Sequence, residues 1–198
     1  MLARQRVTTL VAILFVGVAG LLGSFNVFAD NFKLHQPVPT VSVMNRGELL
    51  FENGKPVYQP WSSAKLGGKV RVLLHLAGRI AAKKENQPLT DALQNAHFPR
   101  DRYQTTLIVN TDDAIPGSAM FVRASLESSK QEAPWSQFII DDNGAAAKAW
   151  QLRQQGSAVV VLDKDGKVQF AKDGALTQAE VQQVMSMLNN LLDGSSQT

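Results

Sequence analysis

The feature that most restricts the fold of this chain is a pair of apolar strands separated by a helical segment. The first strand, residues 69–76, becomes continuously apolar apart from His75, and the second, residues 106–109, ends in the polar residues 110–113. Between them, the i, i+3, i+4, i+7 spacing of an amphipathic helix is met by Leu89, Ala92, Leu93 and Ala96. A strand, a crossover helix and a second strand form a βαβ unit, so these two strands should pair in parallel within an α/β sheet.

The second half of the chain continues this pattern. Helical periodicity is expected from Pro116 to about residue 130, and a strand over 137–140 precedes a helix over 145–151. The apolar segments 158–162 and 167–170 flank an Asp-Lys-Asp-Gly turn and predict an antiparallel hairpin. The same four residues resemble the start of a calcium loop, but the later acidic ligands are missing, which favours the turn.

The C-terminal helix has a clear beginning and a clear apolar face. Thr177 followed by Glu180 is the signature of a capping box. The apolar face consists of Val181, Val184, Met185, Leu188, Leu191 and Leu192. We expect this face to dock on the sheet.

Near the N-terminus, residues 40–43 and 48–51 predict two short strands joined by a turn at 45–48. The prediction continues with a loop over 53–60 and a helical turn over 61–66 that ends at a pair of glycines. The sequence therefore predicts an N-terminal β-hairpin.

The first 29 residues have the features of a secretory signal peptide. Two arginines precede an apolar stretch from Val7 to Leu22, and Val27-Phe28-Ala29 supplies a cleavage junction before Asp30. The alternative is an uncleaved membrane anchor, because the stretch is nearly long enough to cross a bilayer. The junction and the polar sequence after it favour cleavage, a periplasmic location, one domain over 30–194 and a disordered tail over 195–198.

Without the leader, the chain has 169 residues, 18 of them basic and 17 acidic. That length suits one domain, and the balanced charge gives no reason to expect a nucleic-acid partner. No second apolar span follows, so we expect no membrane association after cleavage.

The chain contains no cysteine. Thiol-disulfide exchange, peroxide reduction by a thiolate, thiolate metal sites and cysteine nucleophiles are therefore excluded for it. The three histidines show no spacing typical of metal ligands, and we predict neither a metal site nor a cofactor.

The order of the elements, together with the segment GSAVVVLDKDGKVQFAKDGALT at 156–177, resembles a thioredoxin-like fold of the peroxiredoxin and TlpA type. This resemblance implies a mixed central β-sheet with helices on both faces, to which the N-terminal hairpin is added. In such relatives a cis-proline faces a Cys-x-x-Cys motif. The cysteines would fall near Ala81 and Lys84, and the proline near Ser157.

Longer stretches resemble the YtfJ family of small exported proteins from Gram-negative bacteria. They are GKVRVLLHLAGR (68–79), PRDRYQTTLIVNTDDAIPGSAMFVRASLES (99–128), PWSQFII (134–140) and SAVVVLDKDGKVQFAKDGALTQAEVQQVM (157–185). The resemblance implies a periplasmic location and supplies no catalytic residues.

The sheet edge after the first central strand is the candidate binding site. Its predicted members are His75, Arg79, Lys83, Lys84, Asn110, Asp112 and Ser157. Arg79, Lys83 and Lys84 follow the strand directly, where a helix N-terminus would add backbone N–H groups, so an anionic group is one possible guest. The alternative is a solvated helix face on which Arg79 pairs with Asp112 or another acid.

Two functions fit this edge. The first is a non-redox periplasmic binding or interaction protein, whose partner is an unknown periplasmic protein or a small anionic ligand. The second is a cysteine-free enzyme that uses His75, Arg79 and Asp112. A lone histidine in an apolar strand is also typical of a hydrogen-bonded core residue, and we assign no catalytic residue.

Overall fold

The computed structural model describes residues 31–194. The signal-peptide prediction for residues 1–29 and the tail prediction for 195–198 lie outside this part of the chain. The strands are β1 (Ser42–Glu52), β2 (Lys55–Ser62), β3 (Val70–Ala77), β4 (Tyr103–Asn110), β5 (Gln137–Asp141), β6 (Ser157–Leu162) and β7 (Val168–Asp173). The α-helices are α1 (Ile80–Glu85), α2 (Gln87–Ala96), α3 (Ala119–Glu132), α4 (Ala145–Trp150) and α5 (Gln178–Gly194).

The seven strands form one mixed sheet in the order β2-β1-β5-β4-β3-β6-β7. β3 pairs in parallel with β4, as the βαβ pattern predicts, and β4 also pairs in parallel with β5. β6 is antiparallel to both β3 and β7, which confirms the second hairpin. The central strands β3 and β6 are buried along almost their whole length because helices cover both faces of the sheet.

Successive side chains of β3 point to opposite faces of the sheet. Val70, Val72 and Leu74 pack with the apolar faces of α2 and α5 on one side. Leu73 lies on the other side with α4, whose Trp150 is fully buried. A third cluster places Leu126 of α3 against β4 and β5. Within residues 31–194, no helix is long and apolar enough to cross a membrane.

The N-terminal hairpin is present, but the predicted position of its turn is wrong. β1 continues through residues 45–48 with an irregularity between Val43 and Glu48. The chain reverses instead at Asn53-Gly54, where both residues have positive φ and β1 residue Glu52 pairs with Lys55 of β2. The predicted loop over 53–60 is therefore a strand, and the helical turn is confined to the 3-10 helix Ser63–Lys65.

The capping box of α5 is confirmed. Thr177 Oγ1 accepts a hydrogen bond from the Glu180 N–H at 3.3 Å, and Glu180 Oε2 accepts one from the Thr177 N–H at 2.7 Å. Lys172 Nζ donates to the same carboxylate at 2.6 Å, which fixes the start of α5 to β7. The buried residues of α5 are Val181, Val184, Leu188 and Leu192, all of them on the predicted face.

Candidate functional site

The candidate site lies at one edge of the sheet, which we call the strand-end edge. It comprises the carboxyl ends of the parallel strands β3, β4 and β5, the amino end of β6, and the connections that follow or precede them. The registers place Ala77 beside Asn110, and Asn110 beside Asp141. Ser157, at the start of β6, pairs with Leu76. The predicted site residues on β3, β4 and β6 therefore belong to the same edge.

The connection after β3 and the connection after β4 are in direct contact at Gly78. The Gly78 N–H donates to the Asn110 carbonyl at 2.8 Å. A Cβ atom at residue 78 would lie 3.0 Å from the Ala114 Cβ and 3.1 Å from the Asn110 carbonyl oxygen. Glycine is needed here because a side chain would push the two connections apart.

Arg79 forms an ion pair with Asp113, the neighbour of the predicted partner Asp112. Its Nε donates to the Asp113 carbonyl oxygen at 2.7 Å, and its Nη2 lies 3.5 Å from the Asp113 carboxylate. Asp113 also accepts a hydrogen bond from the N–H of Gln155. The Asp113 residue thus joins the connections that follow β3 and β4 to the one that precedes β6.

Asp112 points to a different partner. Its carboxylate lies 3.5 Å from Nζ of Lys148 on α4, and both side chains are mostly exposed. Asn110 is buried, and its Oδ1 accepts from the Asp113 N–H at 3.3 Å. Asn110 is therefore an internal support for the connection that carries the two aspartates.

The three cations expected around a helix N-terminus are not arranged in that way. α1 has only six residues, and Lys83 and Lys84 lie in its last turn. Arg79 precedes the helix, but it caps no N–H group and is paired with Asp113. Cations at the carboxyl end of a helix interact with its negative pole, so the helix dipole does not join them in attracting an anion.

Ser157 is buried under a carboxylate that the sequence pattern did not reveal. Glu85 Oε2 accepts from the Ser157 N–H at 2.9 Å and from its hydroxyl at 2.7 Å, while Oε1 accepts from Arg153 at 2.7 Å. Burial opposes the charge on Glu85, but the hydrogen bonds from Ser157 and Arg153 outweigh it and lower the Glu85 pKa. The ionised carboxylate therefore fixes α1 to the start of β6.

Asn86 strengthens the same connection. Its amide group donates to the Ser157 hydroxyl at 2.8 Å and to the Gly174 carbonyl at 3.1 Å, and it accepts from the Leu176 N–H at 2.9 Å. The side chain is buried and joins the α1–α2 junction to the ends of β6 and β7. No local pattern predicts these contacts, because their partners lie between 71 and 90 residues away in the chain.

His75 lies below this surface. It is 3% exposed, and its Nε2 has no hydrogen-bond partner among the described residues. Burial lowers the pKa of His75 to about 4, although the charges of Asp141 and Asp113 act in the opposite direction. The imidazole is therefore neutral near pH 7, and solvent does not reach it.

The enzyme hypothesis requires His75, Arg79 and Asp112 to converge. Their polar contacts lie elsewhere: Arg79 is bound to Asp113, Asp112 faces Lys148, and His75 is buried. Within residues 31–194, no group of three or more His, Asp and Glu side chains is arranged to hold a metal ion. These contacts pair the residues with other groups and do not bring the three together as an acid–base site requires.

The edge also exposes apolar side chains, which the sequence pattern did not indicate. Ile80 is 75% exposed, Ile115 55%, Met120 65% and Phe121 72%. These are four of the seven large hydrophobic side chains exposed in the described part of the chain, and all four follow β3 or β4. We call this set the apolar rim. The hydrogen bond from the Gly78 N–H to the Asn110 carbonyl holds the two connections side by side.

Residues 32–191 match the family described as "Bacterial protein of unknown function (YtfJ_HI0045)". The chain belongs to the YtfJ family. It is 60% identical over 164 residues to "Uncharacterized protein YtfJ" of Escherichia coli (strain K12), a match that covers 83% of this chain and 89% of that protein. An uncharacterized protein of Haemophilus influenzae (strain ATCC 51907 / DSM 11121 / KW20 / Rd) is 47% identical over 174 residues, covering 88% of this chain and 95% of that protein.

The fold of this YtfJ-family chain is thioredoxin-like. A putative thiol:disulfide interchange protein DsbE from Chlorobium tepidum superposes with a TM-score of 0.54 at 13% identity, covering 81% of this chain and 99% of that one. A thiol-disulfide isomerase from Corynebacterium glutamicum gives 0.51 at 15% identity, covering 80% and 97%. These likenesses concern the fold alone. The YtfJ-family chain contains no cysteine, so it is a non-redox member of this fold class.

Proposed function

We propose that this chain is an exported periplasmic protein that binds another protein through the strand-end edge. Export rests on the sequence of residues 1–29, whose cleavage after Ala29 would leave residues 30–194 as one domain. The binding role rests on the apolar rim. Exposed hydrophobic groups that gather on one surface of a folded domain are typical of protein interaction sites.

The polar groups behind the rim support this role. Arg79 is paired with Asp113, and Glu85 holds Ser157, so the connections that carry the rim are joined to one another and to β6. A surface fixed in this way loses little conformational entropy when a partner binds. The predicted site residues then divide into buried residues (His75, Asn110 and Ser157) and residues of the surface or its margin (Arg79, Lys83, Lys84 and Asp112).

Site-specific photo-crosslinking in intact cells tests the proposal. A photoreactive residue at Ile80 or Phe121 should give a discrete crosslinked product in the periplasm. The same residue at Met44, which is 66% exposed on β1, is the matched control and should not give that product. Equal products from Phe121 and Met44, or none from any rim position, would refute the binding role of the edge.

The mature N-terminus tests the export step separately. Mass spectrometry of the protein from a periplasmic fraction should show a chain that starts at Asp30. A full-length chain in the membrane fraction would refute cleavage and would leave the alternative of an N-terminal anchor.

A further inference from the structure

The charges around the apolar rim indicate what kind of protein segment it receives. The carboxylates of the strand-end edge are paired with cations of the same chain at N–O distances between 2.6 and 3.5 Å. These pairs are Arg79–Asp113, Lys148–Asp112, Arg46–Asp142 and Arg153–Glu85. Asp141 instead accepts backbone N–H groups from residues 143, 145 and 146. The negative charge of these five side chains is therefore satisfied internally.

Lys83 and Lys84 are the exception on this surface. Both are exposed in the last turn of α1, and neither side chain has an ion-pair or hydrogen-bond partner among residues 31–194. They follow Ile80 by three and four positions, and side chains with that spacing are neighbours on a helix surface. α1 therefore presents an exposed apolar side chain with two uncompensated cations about 5–6 Å further on.

From this arrangement we infer that the partner of the strand-end edge is a polypeptide segment with apolar side chains flanked by carboxylates. This inference rests on the proposed function and adds the chemistry of the partner. The apolar side chains of the segment contact the rim, where burial supplies the affinity. Its Asp or Glu side chains lie beside Lys83 and Lys84 and select it against segments with basic flanks.

A membrane surface fits the same observations less well. Binding to anionic lipids by charge takes clusters of about four to eight Lys or Arg residues. The edge offers two unpaired cations, and Asp112, whose side chain is 55% exposed, lies on the connection that bears Ile115. Anionic headgroups would meet that carboxylate as well as the lysines, whereas the few carboxylates of a short segment lie beside α1 while its apolar side chains contact the rim.

The experiment uses the purified exported chain and two labelled peptides. Fluorescence anisotropy measures how tightly the chain binds each peptide. Both peptides carry the same phenylalanine and leucine residues, flanked in one by glutamates and in the other by lysines. The acidic peptide should bind about fivefold more tightly at low ionic strength, since each exposed charge pair contributes modestly. Added salt at about 1 M should remove most of that difference.

Variants assign the binding to the surface. The double variant Lys83→Gln/Lys84→Gln should weaken the acidic peptide about fivefold and leave the basic peptide unchanged or bound more tightly. Phe121→Ser should weaken both peptides about tenfold or more, because it removes an aromatic contact. Met44→Ser and Lys55→Gln are exposed controls of the same kinds and should change neither affinity.

The outcomes separate this inference from the proposed function. If both peptides bind equally, or if neither binds up to about 1 mM, the inference is wrong. A rim-specific crosslink in cells would still support the binding role in that case. If anionic phosphatidylglycerol vesicles bind the chain, the acidic peptide does not, and the lysine variant abolishes vesicle binding, the surface recognises lipid and the inference is also overturned.

Discussion

The burial of His75 in β3 predicts how the free energy of unfolding depends on pH. The His75 pKa falls from its ordinary 6.5 to about 4 because burial disfavours the charged ring. A depressed folded pKa means that the unfolded chain binds the proton more readily than the folded chain does between about pH 4 and pH 6.5. The component of stability that is linked to His75 is therefore fully present above pH 6.5 and is lost as the pH falls through this window.

The size of the effect follows from the two pKa values. Between about pH 7 and pH 5, a group that titrates at 6.5 unfolded and about 4 folded removes about 2 kcal/mol from the free energy of unfolding. His75→Leu should abolish this component. At pH 7 it should be close to neutral or stabilising, since Nε2 has no hydrogen-bond partner among the described residues.

Urea denaturation at the two pH values, followed by circular dichroism, measures the difference. The pKa values of Glu85 and Glu180 are lowered in the fold, so their contributions to stability are also lost in acid. These losses occur in wild type and in His75→Leu alike. The difference between the pH dependences of the two proteins is therefore the contribution of His75. His97→Asn is the control, because it removes a histidine from an exposed position. An equal pH dependence in wild type and His75→Leu would refute the argument.

Three further predictions concern the polar network, the last helix and redox chemistry. Asn86→Ala removes three hydrogen bonds of a buried side chain and should lower the free energy of unfolding, measured by urea denaturation, by about 2–4 kcal/mol. The variant Gln87→Ala, at the exposed neighbouring residue, should change it by less than about 0.5 kcal/mol. Equal effects would contradict the role of Asn86. Thr177→Ala should cost about 1 kcal/mol by removing the cap of α5 while Thr177→Ser retains it, and a loss of the same size in both would count against the cap. The purified chain should reduce neither insulin disulfides nor peroxides above the uncatalysed rate, so turnover in either assay would contradict this prediction.

Much of the fold follows from patterns that are local in the sequence. The period of apolar residues locates α2 and the strands from β3 to β7, and the Thr177–Glu180 pair locates the start of α5. The N-terminal turn was misplaced because Gly47 suggested a reversal at 45–48. The Asn53-Gly54 pair is the stronger hairpin signal, since both residues tolerate the positive φ of a two-residue turn.

Much of the candidate site depends on contacts that no local pattern encodes. Glu85 reaches Ser157 across 72 positions, and Asn86 reaches Leu176 across 90. The choice of Asp113 over Asp112 as the partner of Arg79 depends on how the connection after β4 turns, which neighbouring acids in a sequence do not specify. The sequence does not predict the apolar rim for a different reason. Ile80 and Phe121 occur in helical segments, where the sequence alone does not distinguish exposed from buried apolar residues.

The internal pairing of the edge bears on which kind of function it suits. A general acid or base must reach the substrate and titrate near the working pH. His75 is buried with a pKa of about 4, and Glu85 is held as a carboxylate by Ser157 and Arg153, so neither meets both conditions. Solvent reaches the apolar rim, Lys83 and Lys84, and the Asp112–Lys148 pair. Exposed apolar side chains with charges beside them recognise a partner by burial and charge, which supports the binding role proposed for this edge.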